Sequence, residues 1–149
     1  MKNQYKKIAF LIILAIPLLT ACTAVKVDPL AASHADTPVC IVKNDDVIVP
    51  NFLNVVQNGF NRHDVDTKVF RNETPKSCNI ILTYTALRSW DIAPYLSHAE
   101  IWLRKQNGEQ IAYAQYHIRG GSACLALNKW ANVKSKMDPV MDELLKNYE

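Results

Sequence analysis

The chain has 149 residues, 49% hydrophobic and 21% charged, the balance of one globular domain and too short for two of ordinary size. Its formal charge of +3 comes from Lys2, Lys6 and Lys7; past residue 21 the chain holds 14 basic and 14 acidic residues. A near-neutral body lacks the basic footprint that nucleic-acid binding requires, so no nucleic-acid partner is expected.

In chain order, residues 1–21 read as a signal peptide: a basic start, Met1 to Lys7, then an apolar run, Ile8 to Leu19. That run is shorter than the ~20 residues needed to span a bilayer, and Pro17 interrupts it. Leu19-Thr20-Ala21-Cys22 follows and resembles the lipobox of bacterial lipoproteins. The resemblance implies cleavage before Cys22 and acylation of its thiol and new amino terminus, a stable membrane anchor. Thr23, a non-aspartate, resembles the sorting signal for the outer membrane, so the expected location is the periplasmic face of that membrane. Residues 22–37 then read as the lipidated cysteine and a flexible tether, with Pro29 and several small residues. A coil of this length reaches roughly 20 Å.

Export places the domain where disulfides persist. If lipid occupies Cys22, the remaining three cysteines, Cys40, Cys78 and Cys124, allow three pairings. Cys40–Cys78 is favoured, because each opens an apolar run of strand type. Cys124 is then the odd one, a small buried residue or a reactive thiol. No CxxC spacing exists, which argues against a redox dithiol or thiolate zinc site.

Val39 to Val42 predicts a short strand. Pro50 to Arg62 predicts a helix with Phe52, Val55, Val56, Gly59 and Phe60 on one face and Pro50 in its first turn. Asp66 to Phe70 is a second strand, Cys78 to Leu87 a third, and Arg88 to Leu96 reads as a longer connection. Asn107-Gly108, between two alternating runs, predicts a two-residue hairpin turn. Its register sets Leu103, Ile101 and Ala99 opposite Ala112, Ala114 and Tyr116 on an apolar face. Trp102, Glu100 and His98 then oppose Tyr113, Gln115 and His117 on the other face. Gly120-Gly121 ends the last strand, and Lys129 to Asn147 predicts a helix with Trp130 on its apolar side and Pro139 kinking or restarting it.

This order predicts an α+β two-layer sandwich over residues 38–149, with one mixed, mostly antiparallel five-stranded sheet and two helices on one face. The first strand is expected centrally, beside the second and third; a parallel first and third strand would bring Cys40 and Cys78 together.

The stretches Thr83-Tyr84-Thr85-Ala86-Leu87-Arg88-Ser89-Trp90-Asp91 and Pro94-Tyr95-Leu96-Ser97-His98-Ala99-Glu100 resemble the signature of a family of small proteobacterial lipoproteins. Gly120-Gly121 and the run from Lys136 to Leu145 fit the same family, and the resemblance covers the chain from about residue 38 onward. It implies an envelope location and one small domain, and supplies no catalytic residues. The layout is also similar to accessory lipoproteins that help assemble envelope machines.

No phosphate loop, dinucleotide fingerprint, HExxH or GxSxG elbow occurs, so a non-enzymatic module is expected. Two surfaces are candidates for binding. Trp102 and Tyr113, with Thr83 and Thr85 nearby, would form an open sheet face for an envelope protein or a second copy in a homodimer. Trp90, Asp91 and Tyr95 in the long connection would suit a small ligand. The alternative function is a ligand or metal binder: His98 and His117, directly opposed, and Glu100 two residues along could hold zinc or copper. His34 and His63 read as solvated.

Overall fold

The structure is a computed structural model that describes residues 22–34, 38–119 and 129–147. Residues 1–21, read above as a signal peptide, Gly120-Gly121 and Cys124 lie outside the described residues. The strands are β1 (Thr23–Asp28), β2 (Val39–Val42), β3 (Thr67–Phe70), β4 (Ile80–Asp91), β5 (Ala93–Lys105) and β6 (Gln110–Ile118). The helices are α1 (Phe52–Arg62) and α2 (Val133–Leu144).

They build one mixed sheet of order β1-β6-β5-β4-β2-β3. β2 runs parallel to both β3 and β4, and every other pairing is antiparallel. The α+β class is as expected, but the sheet has six strands. The sixth is β1, drawn from residues read as tether. Thr23 to Asp28 pairs along β6, from Thr23 opposite Ile118 to Asp28 opposite Tyr113. Leu30 behind it is fully buried, and its backbone is held at both ends: its N–H donates to Leu144 O and its carbonyl accepts from Asn147 Nδ2, each at 2.9 Å. Thr23 to Asp28 is a short edge strand whose only sizeable apolar residues are Val25 and Val27, too little pattern to announce itself in the sequence.

One face of the sheet carries the core. Ile80, Leu82, Tyr84 and Ala86 of β4, Ala99, Ile101 and Leu103 of β5, and Ala112, Ala114 and Tyr116 of β6 are buried with residues of both helices. α1 buries the five residues its spacing predicts. It begins at Phe52, with Asn51 in a left-handed conformation before it, so Pro50 precedes the helix instead of opening it. α2 starts at Val133, later than expected, where Asn132 Oδ1 accepts from Ser135 N at 2.8 Å. Pro139 neither ends nor restarts it: Pro139 and Ser135, whose carbonyl loses an amide partner, are both exposed, and water can serve there. The helices meet closely at Gly59, where an added Cβ would lie 2.8 Å from Cβ and Cγ of Met141.

The Cys40–Cys78 disulfide is present, with Cα atoms 6.0 Å apart. Closing 38 residues of separation constrains the unfolded chain by about 4 kcal/mol on the chain-entropy model. It pins the loop that recrosses β2 on the way from β3 to β4.

Two local expectations are corrected. Arg88 to Leu96 is not a loose connection: β4 and β5 continue as a long hairpin whose last pair is Asp91 and Ala93, with Ile92 at the apex at φ 61°. A bulge follows Leu87, so that Leu87 opposes His98 while Arg88 opposes Leu96, leaving Ser97 as the extra residue. The β5–β6 turn has three residues, with Gly108 N donating to Lys105 O at 2.9 Å and Lys105 N to Glu109 O at 2.8 Å. Gly108 takes φ 87°, whereas Asn107 keeps an ordinary negative φ. The extra turn residue is absorbed by an irregularity between Leu103 and Arg104, which restores the expected pairing from Leu103–Ala112 to His98–His117.

Candidate functional site: the polar sheet face

The face opposite the helices is ordered in rows by the strand registers. Thr83, Trp102, Tyr113 and Asp28 form one row across β4, β5, β6 and β1. Thr85, Glu100, Gln115 and Lys26 form the next, and Leu87, His98, His117 and Ala24 the third. The structure therefore brings together all four residues expected for the binding face, Thr83, Thr85, Trp102 and Tyr113, and the three metal candidates lie beside them.

The aromatic pair sits at the centre. The Trp102 and Tyr113 rings are 5.9 Å apart and tilted. Arg104 stacks at 5.6 Å from the Trp102 ring while its Nη1 donates to Thr83 Oγ1 at 3.0 Å. Lys26 lies 5.7 Å from the Tyr113 ring. Two cations thus flank the pair, each positioned over a π-face. Arg104 was missed in the sequence, although it continues the β5 parity of His98, Glu100 and Trp102; Lys26 could not be placed while its strand read as tether.

Glu100 anchors a polar chain. Tyr113 Oη donates to Glu100 Oε1 at 2.6 Å, Gln115 Nε2 to the same oxygen at 3.2 Å, and His98 Nε2 lies 3.4 Å from Oε2. Burial pushes the Glu100 carboxyl up, but the hydrogen bonds from Tyr113, His98 and Gln115 outweigh it and hold the group below the usual carboxylate range. The Tyr113 hydroxyl is pushed up to about 12 by burial and by the Glu100 carboxylate it bonds.

His98 and His117 do face each other, with Nδ1 atoms 3.3 Å apart and rings edge-on at 5.3 Å. That separation matches the edge of a tetrahedral site with metal–nitrogen bonds of ~2.0–2.1 Å. Glu100, however, meets the other nitrogen of His98, on the far side of the ring, so the three groups form a chain and do not converge on a point. Among the described residues no group of three or more His, Cys, Asp and Glu side chains could hold a metal ion. Among the described residues the expected zinc or copper ligands are thus two facing imidazoles, with no third side chain converging on them.

The small-ligand expectation also changes. Trp90 stands 74% exposed near the hairpin apex, and Asp91 is ion-paired with Lys129 while its carbonyl accepts from Trp130 Nε1 at 2.8 Å. Neither borders the cleft described next. Tyr95 does: with Trp130, Asn51, Asn54, Asn58 and Arg88 it borders a cleft of about 550 Å³ between the starts of the two helices and the hairpin. Trp130, expected on the buried side of the last helix, lies ahead of that helix and is partly exposed.

Lys136 was not anticipated. It is only 6% exposed and donates to Leu96 O at 3.1 Å and Lys129 O at 2.5 Å, with the Tyr95 and Tyr116 rings within 6 Å. Burial pushes its ammonium down to about 8. It ties the base of the hairpin to the segment entering α2.

Cys22 is disulfide-bonded in this structure. One sulfur cannot hold a disulfide and a thioether together, so acylation would replace that bond. Among the described residues no helix is long and apolar enough to cross a membrane.

No family model matches the chain, and no curated protein matches it in sequence. Solved structures do. A dodecamer of a PelC point variant from Paraburkholderia phytofirmans aligns with a TM-score of 0.50 at 10% identity, covering 80% of this chain and 97% of that one. A second crystal form of the PelC dodecamer from the same organism aligns with a TM-score of 0.50 at 11% identity, covering 78% and 98%. At these identities the likeness is one of fold.

Proposed function

We propose that the chain is a non-enzymatic envelope lipoprotein, anchored through lipid on Cys22 at the periplasmic face of the outer membrane, that works by assembling with further copies of itself. The observation that carries the assembly reading is the polar sheet face. Both described helices lie on the other side, so neither covers Trp102, Tyr113, Thr83 and Thr85, which stay partly exposed around an aromatic pair and two cations. Aromatic and arginine side chains of this kind are enriched where proteins meet. The PelC structures of similar fold are dodecamers, which supports a second copy as the partner. The lipobox-like Leu19 to Cys22 and the preceding apolar run support the anchor.

Sedimentation velocity on the full chain, purified from membranes in detergent, tests the assembly. A discrete oligomer is expected, and Trp102→Ala, at a partly exposed position, should shift it toward monomer while the fold is kept. A monomeric wild-type chain sinks the reading.

A second reading rests on the cleft beside Tyr95. Its volume falls in the range of small-molecule sites, and carboxamides from Asn51, Asn54 and Asn58 beside Trp130, with Arg88 at the rim and Lys134 engaged by Asp138, suit a polar ligand such as a sugar. Titration with small neutral sugars, followed by tryptophan fluorescence, is expected to give a saturable change that Asn54→Ala removes; a flat response excludes that ligand class.

A further inference from the structure

We infer that the apex of the β4–β5 hairpin, carrying Trp90 and Ile92, lies in the headgroup layer of the bilayer that holds Cys22; the inference rests on the anchor reading above. Three observations carry it. The first is direction. β1 leaves Cys22 antiparallel to β6, with Thr23 opposite Ile118 and Arg119 N donating to Cys22 O at 2.8 Å. Cys22 is therefore at the end of the sheet where β6 stops. The β4–β5 hairpin continues past that end, because β6 last meets β5 at His98–His117 and the apex is six residues earlier at Ile92. At ~3.3 Å per residue the apex projects roughly 15 Å beyond the anchor point.

The second is connection. Cys22 passes directly into β1, with no free linker, so lipid on that residue would bring this end of the domain against the membrane. The headgroup layer of one leaflet is only about 5–7 Å thick, so the hairpin must lie obliquely, its apex in the interface.

The third is surface chemistry. Ile92 is 83% exposed, Trp90 is nearly as open, and the exposed Trp130 bonds to the carbonyl of Asp91 between them. Ile92 moreover holds φ 61°, a region that a β-branched residue rarely adopts. A turn made only for solubility would place Gly or Asn there. The one acid at the apex, Asp91, is paired with Lys129, and Lys134 with Asp138, so the cation left to suit anionic headgroups is Arg88, which borders the cleft below. Tryptophan is the side chain most at home at that depth.

The test uses the full lipidated chain reconstituted in vesicles of phosphatidylethanolamine with a quarter phosphatidylglycerol, brominated near the top of the acyl chains. Tryptophan emission should be quenched relative to unbrominated vesicles. Trp90→Phe should lose most of that quenching, Ile92→Asp should weaken it, and Trp102→Phe, on the sheet face, should leave it. Quenching that is absent, or that survives Trp90→Phe, overturns the inference, including the case in which a second copy covers the apex instead. The mass of the Cys22 peptide judges the anchor separately. If it carries no acyl group, the unacylated chain is mixed with the same vesicles: Trp90-dependent quenching still upholds the apex contact, and its absence overturns it.

Discussion

Tyr113 and Glu100 are joined diagonally across β5 and β6 by a 2.6 Å hydrogen bond, and that bond organises the polar face: it orients the carboxylate toward His98 on one side and holds the Tyr113 ring against Trp102 on the other. A hydrogen bond to a half-buried charged acceptor is worth more than a neutral one but less than a fully buried one.

Tyr113→Phe should therefore lower stability by about 1 kcal/mol near neutral pH. The loss has a pH signature. Glu100 is held below its ordinary value of 4.5, so its contribution is present above that pH and fades as pH falls through the depressed value. Tyr113 is raised from 10.0 to about 12, so its contribution is complete below pH 10 and fades as pH climbs between the two. Urea denaturation of both chains across pH should show the gap widest between those limits; a gap independent of pH would count against the bond as its source.

Gly59→Ala should destabilise, although alanine is the better helix former by roughly 1 kcal/mol. The new methyl would press within 2.8 Å of the Met141 Cβ, an atom fixed by its backbone and unable to swing aside. Separating α1 from α2 should cost about 1–3 kcal/mol, read as a lower urea midpoint. A raised midpoint would mean the helices can part freely.

Lys136→Met should flatten the alkaline stability profile. Burial lowers this ammonium from 10.5 to about 8, so between those values the unfolded chain binds more protons than the folded one. Wild-type stability must then gain from this residue as pH rises from 8 toward 10.5, and lose that gain as pH falls through 8. Denaturation midpoints across that window should climb more steeply for the wild type than for the variant. Equal slopes would show that Lys136 is not desolvated.

Much of the sheet was legible because it rests on short-range pattern. Strict alternation in β5 and β6 with Gly108 between them was enough to place six cross-strand pairs, from Leu103–Ala112 to His98–His117. The turn itself was misread by one residue, and the pairing survived because the irregularity beside Arg104 cancels the difference. The Cys40–Cys78 pair was legible because both cysteines sit at or just before the start of an apolar strand, and strands that run parallel side by side bring their starts together.

The hairpin apex was not legible. Ile92 carries none of the glycine or asparagine chemistry that marks a reversal, so nothing local separated a turn there from a wandering loop. The same holds for Trp130, whose spacing suits the helix face while its indole bonds to Asp91 in the hairpin.

Which residues of α1, β5 and β6 face the core, and which partner each meets across β5 and β6, were determined by the sequence alone, since a strand's period of two and a helix's of 3.6 are properties of the local backbone. Only the tertiary structure decided that Thr23 to Asp28 completes the sheet, that Glu100 accepts from Tyr113, and that Lys136 is buried against two carbonyls. Each of those outcomes depends on a distant segment arriving to supply a hydrogen-bond partner or to exclude water, and no periodicity within a segment records what will be packed against it.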